Sequence, residues 1–468
     1  MNPTIKLQGI AMLWSARRAC RFLATGLLAV QVAFAPVSGA HAQRNVPVVR
    51  DAEIEALVRD YAKPILEAAG LSRSGIEIIL VNDPAFNAFV AGRRMFINTG
   101  ALLQSETPNE IIGVIAHEAG HIAGGHQQRL RQQLEAAQTM AIVAGLIGIG
   151  AAVGGAASGT GGLAQAGAGL AMGGGEVARR GLLNYQRTEE ITADRSAITY
   201  LERTGQSARG MVRTFERMAS GLALMGRQID PYQISHPLPR ERIQNVQELA
   251  EASPYRDRQD PPALQRRHDM MRAKIAAHTQ GQSATSRLFR DTQSMPARYG
   301  DAIVTYLHGS PSAALQKVDA LIAAEPNNPY FHELRGEVLI RANRPQDAVT
   351  AFERAARLDT SNSGFMQFGL GQALLAAGGP DTAGRAVDAL TQGLARAPEY
   401  VTAYRYLAQA YGQMGEIAEA ELATAEGHYY SGNFREARQF AARAQSRLTP
   451  GSPSHVRAQD IINQRPAN

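Results

Sequence analysis

From residue 299 onward the chain repeats itself, and a repeat of this length leaves few folds open. Aligning Ala302, Gly336, Gly371 and Ala408 gives intervals of 34, 35 and 37 residues. Each is followed by an alanine near the start of a second apolar-periodic segment, at Ala314, Ala348, Ala386 and Ala420. Pro326 and Pro398 close units, and Gly378 and Gly415 fall at the turns between paired segments. A unit of that size holds two helices and cannot bury its apolar face alone, so the units must stack into one array with small residues where helices approach closely. A further pair, marked by Ala425, Gly432 and Ala437, follows at a shortened interval, so the array is expected to end irregularly.

That period and its small residues are those of the tetratricopeptide repeat, so residues 299–468 are expected to form an α-solenoid. Residues 251–298, rich in Arg, Asp and Pro with intermittent apolar positions, read as a helical connector. At the other end, residues 1–42 have the layout of a secretory signal peptide. Arg17, Arg18 and Arg21 precede an apolar run from Phe22 to Ala35, and Ala40-His41-Ala42 is a small-x-small cleavage site. The basic region is long if Met1 is the start, and Met12 is an alternative initiator. Cleavage would remove four basic residues and no acid, taking the formal charge from +6 to +2. Arginine outnumbers lysine 44 to 4, but no basic run is interleaved with aromatics, which argues against nucleic-acid binding. Cys20, the only cysteine, goes with the leader, so an exported chain would rely on its core or on a metal bound without sulfur.

Between leader and connector, residues 43–250 read as one domain. Ile54, Leu57, Val58, Tyr61 and Ile65 mark an amphipathic helix. "GIEIILVN" and "AFNAFVAGRRMFINTG" read as strands, the second folded into a hairpin at Gly92-Arg93. Thr107, Pro108 and Glu110 then announce a helix: an N-cap, a proline at the first helical position and a T-x-x-E capping box. Ala136 to Gly175 is uncharged over 40 residues and holds 13 glycines. It is long enough to tempt a transmembrane reading, yet Gly and Ala transfer weakly into lipid. A small-residue helical hairpin acting as a cover or lid is expected, with membrane contact as the alternative.

The chemistry lies in "EIIGVIAHEAGHIAGGH", residues 110–126. His117 and His121, four apart, place both imidazoles on one helical face within reach of a single ion. Glu118 is turned about 100° from His117, where it can take a proton from an attacking water without binding the metal. Ala119 and Gly120 leave room around the site. On a continuous helix His126 would lie about 140° from His121, which excludes it from a shared ion and leaves it as a structural or surface residue. A catalytic zinc wants a third protein ligand, and "NYQRTEEITADRSAITYL" offers Glu190 with Asp194 four residues on. Asp194 can fix the tautomer of a ligand imidazole. Glu189 competes for the ligand role, and an exposed acidic face is the plain alternative.

These motifs resemble the gluzincin metalloproteases of the group that holds the CAAX prenyl endopeptidases, HtpX and BepA: H-E-x-x-H at His117 to His121, E-x-x-A-D at Glu190 to Asp194, and "ISHPLPRER" with His236 and Arg242. With its leader and C-terminal repeats the chain is most similar to BepA-like periplasmic members. The resemblance implies a mainly α, zincin-like domain with a small β-sheet ahead of the repeats. It implies one zinc ion per chain held by His117, His121 and Glu190, with Glu118 as catalytic base. It implies that "NAFVAGRRMFINTGALL" supplies an edge strand for an extended substrate. His236 and Arg242 would stabilise the oxyanion; alternatively His236 occupies a fourth zinc position and holds the enzyme latent, or is a turn residue before Pro237.

The expected function is thus a zinc-dependent endopeptidase of the periplasm that degrades misfolded or misassembled envelope proteins. Its repeats would dock outer-membrane proteins or their assembly machinery. Two other readings compete: a chaperone or assembly factor with a largely latent metal site, and a quality-control protease anchored in the inner membrane through the Gly-rich segment.

Overall fold

The computed structural model describes residues 47–157, 161–225, 236–237, 240–361, 363–379 and 381–464, so the leader expected over residues 1–42 lies outside the described residues. Strand β1 (Val48–Val49) leads into helix α1 (Ala52–Ala68), started by Asp51, whose carboxylate accepts the Ile54 N–H at 2.9 Å. Strands β2 (Glu77–Val81), β3 (Ala88–Ala91) and β4 (Arg94–Asn98) complete a four-stranded sheet of order β1-β2-β4-β3. β2 and β4 run parallel, and β3 pairs antiparallel with β4, with Ala91 opposite Arg94. The two-residue turn between them needs a positive φ at its first position, and Gly92 supplies +63°. Period-two alternation sends Ala88, Val90, Met95 and Ile97 into the core and stacks Phe89 on Phe96 across the other face, ring centroids 4.8 Å apart. β3 is thereby left at an edge of the sheet.

After the short helix α2 (Thr99–Gln104) comes α3 (Pro108–Gly124), buried at every position from Pro108 to His121. Thr107 is its N-cap and Pro108 opens it, but the expected capping box does not form. The Thr107 side chain accepts no capping bond, and Glu110, itself buried, is paired with Arg217 and with Arg213 at 3.4 Å. A carboxylate still sits at the positive end of the helix dipole, held by two distant cations and by the Glu106 N–H at 3.3 Å, one residue upstream of the N–H a capping box would use.

Helix α4 (His126–Ala157) and helix α5 (Gly161–Arg203) pack along one another, and the Gly/Ala-rich stretch is divided between them, giving the helical hairpin. Among the described residues no helix is long and apolar enough to cross a membrane. α5 continues from the Gly-rich part through Glu190 and Asp194, so both belong to one rod. It meets α3 closely: a Cβ on Gly120 would lie 3.0 Å from the Ala193 carbonyl oxygen. Helices α6 (Arg209–Met225), α7 (Arg240–Ala252) and α8 (Pro262–Thr279) close the core around α3 and the sheet.

α8 faces two ways. Met271, Ile275 and Ala276 enter this first core, while Met270 and Ala277 enter the next, with Tyr299 and Phe331. The short α9 (Gln282–Leu288) leads to ten helices in five pairs: α10 (Met295–His308), α11 (Pro311–Ala324), α12 (Pro329–Arg341), α13 (Pro345–Leu358), α14 (Phe365–Ala377), α15 (Thr382–Leu394), α16 (Val401–Gln413), α17 (Ile417–Tyr430), α18 (Phe434–Gln445) and α19 (Pro453–Asn463). Ala302, Ala314, Ala348 and Ala386 are fully buried between them, as the repeat alignment requires. In the fourth unit Ala408 and Ala420 are only half-buried, and Leu407, Ala410 and Ala423 make the close contacts. The last pair is α18 with α19; Ala425 and Gly432 belong to α17 and to the turn after it. Lys274 ties α8 to the start of α1, standing 2.7 Å from Asp51 and 3.3 Å from Glu53, and from the first repeat helix the Tyr299 hydroxyl donates to Glu53 at 2.8 Å.

Candidate metal centre

Helix α3 presents His117 and His121 one turn apart, with their Nε2 atoms 3.0 Å from each other. Glu190 reaches across from α5, its oxygens 3.4 Å from His117 Nε2 and 3.3 Å from His121 Nε2. His236 arrives from the H-P segment with Nδ1 3.3 Å from His117 Nε2 and 3.1 Å from Glu190 Oε1. One donor atom from each of these four buried residues lies within 4.8 Å of all the others, the spacing one cation would bridge. The set contains three imidazoles, one carboxylate and no sulfur, as a chain with its only cysteine at position 20 must provide.

The outer atoms of these ligand candidates are held as well. His117 Nδ1 stands 2.9 Å from Asp194 Oδ1, which fixes the tautomer that turns Nε2 inward. Arg242, 1% exposed, grips both Asp194 oxygens at 2.7 and 2.8 Å, Glu190 at 2.8 Å and the Pro237 carbonyl at 2.7 Å, and it lies over the Phe215 ring. Three of its nitrogens are thus committed to acceptors behind the donor cluster. Arg242 ties α5 to the H-P segment, whereas an oxyanion-stabilising role would aim it into the cleft.

The charge state follows from the packing. Burial acts to lower the His117 pKa, but hydrogen bonds to Asp194 and Glu190 outweigh it and raise it to about 10. Burial lowers His121 to about 4. Burial would raise Glu190, yet hydrogen bonds from His117, His121 and His236 bring it well below the usual carboxylate range, and Asp194 is lowered in the same way by His117 and Arg242. Glu190 and Asp194 are therefore held as anions among the imidazoles.

Glu118 differs from its neighbours. It is 0% exposed, neither carboxylate oxygen has a hydrogen-bond partner among the described residues, and His236 Nε2 stands 3.4 Å from Oε1. Burial raises its pKa, against the lowering influence of His236 and His117. A buried carboxylate without a donor is costly, and such costs persist where the group acts on something that comes and goes.

His126 departs from the expectation for a continuous helix. Gly125 takes the left-handed conformation, φ 66°, and ends α3, and the chain restarts at His126 as α4. His126 is therefore buried, not a surface residue, with Nδ1 2.9 Å from His121 Nδ1 and Nε2 2.7 Å from Glu189. Glu189, the competing ligand candidate, faces His126 and Arg129, 2.7 Å from each. The doublet Gly124-Gly125 was the signal for this turn.

Residues 48–250 match peptidase family M48, and residues 306–363 match a tetratricopeptide repeat. The chain is 22% identical over 431 residues to the β-barrel assembly-enhancing protease of Escherichia coli (strain K12), covering 90% of this chain and 84% of that one. It is 21% identical over 431 residues to the protein of the same name from Yersinia pestis, covering 90% and 85%. The metalloprotease YcaL of Escherichia coli (strain K12) is 33% identical over 149 residues, 31% of this chain and 51% of that one.

Proposed function

We propose that this chain, which carries a domain of peptidase family M48 followed by tetratricopeptide repeats, is a zinc-dependent endopeptidase of the periplasm that removes misassembled envelope proteins. The observation that carries the reading is the orphaned Glu118 carboxylate beside four converging donors. His117, His121 and Glu190 would hold the zinc, with Asp194 and Arg242 positioning them. Zinc bound there supplies a Lewis acid for the scissile carbonyl and lowers the pKa of the attacking water. Glu118 accepts the proton from that water and returns it to the leaving amine; its raised pKa suits both directions of transfer.

The substrate would lie extended along β3, whose outer edge is occupied by Gln127: Gly92 N–H donates to its Oε1 at 2.7 Å, and its amide donates to the Val90 carbonyl. An incoming strand displaces that side chain and takes over its backbone bonds. The repeats, held to α1 by the Tyr299–Glu53 bond, would present partners such as outer-membrane proteins or their assembly machinery, a proposal supported by the names of the relatives. The export-type leader supports the periplasmic location. In the test, full-length wild type digests an unfolded protein such as reduced casein and Glu118→Gln does not; equal digestion by the two would remove Glu118 from the mechanism.

His236 favours a second, compatible reading. Its Nδ1 stands among the donors themselves, and four protein donors would close a site that needs an open position for catalysis. The resting enzyme would then be latent, and His236 would leave when substrate enters. His236→Ala is expected to raise casein cleavage several-fold over wild type, and a loss of cleavage would instead give His236 a part in stabilising the oxyanion.

A further inference from the structure

His121 has two ring nitrogens, and the metal reading uses only one. Nε2 faces Glu190 at 3.3 Å; Nδ1 faces His126 Nδ1 at 2.9 Å, away from the cluster. Two imidazole nitrogens at that distance share one proton, so exactly which ring carries it decides what His121 can do. If the His121 Nδ1 holds the proton, its Nε2 has a lone pair for a cation. If the His126 Nδ1 holds it, His121 is Nε2–H and turns a proton toward the donors.

A cation held by His121 Nε2 requires the first arrangement, since a protonated Nε2 has no lone pair to give and would instead donate to Glu190, 3.3 Å away. His126 Nδ1 then accepts from His121 and its own proton falls on Nε2, where the Glu189 carboxylate 2.7 Å away favours it by charge, although no aligned hydrogen bond joins the two. Glu189 is held in place in turn, 2.7 Å from Arg129 Nη2, and Arg129 also donates to the Tyr185 hydroxyl at 3.2 Å and to the Gly124 carbonyl. The His126 ring has little freedom to swing. A Cβ on Gly124 would lie 2.2 Å from its Nε2, so only glycine there admits the imidazole beside α3. The left-handed Gly125 brings the ring back over His121.

We infer that Glu189 and His126 form a positioning relay that fixes His121 as the Nδ1–H tautomer and thereby prepares its Nε2 for the metal. The two ligand histidines on α3 are then supported differently: His117 directly by the Asp194 carboxylate at 2.9 Å, His121 by a carboxylate acting through an intervening imidazole. Neither His126 nor Glu189 touches the substrate or the metal in this role. The inference rests on the proposed metal site and adds a residue pair to it.

The test uses the full chain and zinc alone. Zinc affinity is measured by competition with a calibrated chelator for wild type, His126→Leu and His126→Asn. Asparagine places Oδ1 where Nδ1 was and keeps the acceptor; leucine removes it and leaves the His121 N–H buried without a partner. Removing a partner of this kind typically weakens metal binding by about 10–100-fold, so His126→Leu should fall in that range and His126→Asn should stay within about threefold of wild type. Long-range 1H–15N spectra of the wild-type imidazoles read the tautomer directly and do not depend on any variant folding. His126 protonated on Nε2 in the zinc-loaded protein supports the relay, and His126 protonated on Nδ1 there overturns it. Equal zinc affinity in the leucine and asparagine variants also overturns it. Failure of wild type to bind zinc would instead overturn the metal site on which the relay rests.

Discussion

Replacing Arg242 by leucine removes the guanidinium that Asp194 and Glu190 share. The side chain is 1% exposed and makes three carboxylate contacts of 2.7 to 2.8 Å, so the variant leaves two buried anions without that cation. Breaking a buried pair from one side costs about 3–5 kcal/mol, because the remaining charge stays desolvated. Leucine keeps part of the apolar contact over Phe215, which places the expectation toward the lower end. Each kcal/mol lowers the midpoint of a domain this size by about 2–4 °C, so a fall of about 6–15 °C is expected. Scanning calorimetry of the full chain, zinc-loaded and zinc-free, measures it. Arg242→Lys restores charge without the planar fork and should recover only part of the loss. A change under about 2 °C together with a large fall in kcat would refute the positioning role and return Arg242 to the oxyanion.

Glu118→Gln should unfold at higher temperature than wild type, because a neutral amide relieves a buried carboxylate that has no donor; a gain of about 1–3 kcal/mol is expected in calorimetry, and a loss would argue against the orphaned state. His268, buried between the Tyr61 hydroxyl at 3.0 Å and the Ser105 carbonyl at 2.9 Å, has its pKa lowered by burial to about 4. Its folded pKa is below its unfolded one, so its contribution is intact above about pH 6.5 and declines by up to about 3 kcal/mol as the pH falls to about 4, where the unfolded chain binds the proton first. The pH dependence of chemical denaturation should flatten over that window in His268→Gln, and an unchanged slope would refute it. Gln127→Ala should lower KM for an extended peptide by about 2–10-fold, since the substrate no longer displaces a hydrogen-bonded side chain from β3; a raised KM would show that Gln127 helps to bind it.

What was legible in the sequence was what local periodicity encodes. The 34-residue spacing placed four repeat units, and the four-residue spacings His117–His121 and Glu190–Asp194 each set two functional side chains on one helical face. The hairpin at Gly92 was readable because its turn demands a positive φ. Interactions across long separations were not. Glu110 reads as half of a capping box, but it accepts from the Glu106 N–H one residue upstream, and its charged partners, Arg213 and Arg217, lie about a hundred residues on. Arg242 and Asp194 were separate candidates whose bidentate pairing depends on how α5 and α7 pack. His126 reads as a structural or surface residue while the helix runs on through Gly124-Gly125; the left-handed Gly125 ends that helix and turns the ring back onto His121.

The central claim is that His117, His121 and Glu190 hold one zinc ion beside Glu118. Zinc content measured by plasma mass spectrometry, after dialysis against a competing chelator, tests it most directly on wild type and Glu190→Ala. The account predicts one zinc per chain in wild type and well under half that in Glu190→Ala. Equal zinc in both, or none in wild type, would contradict it.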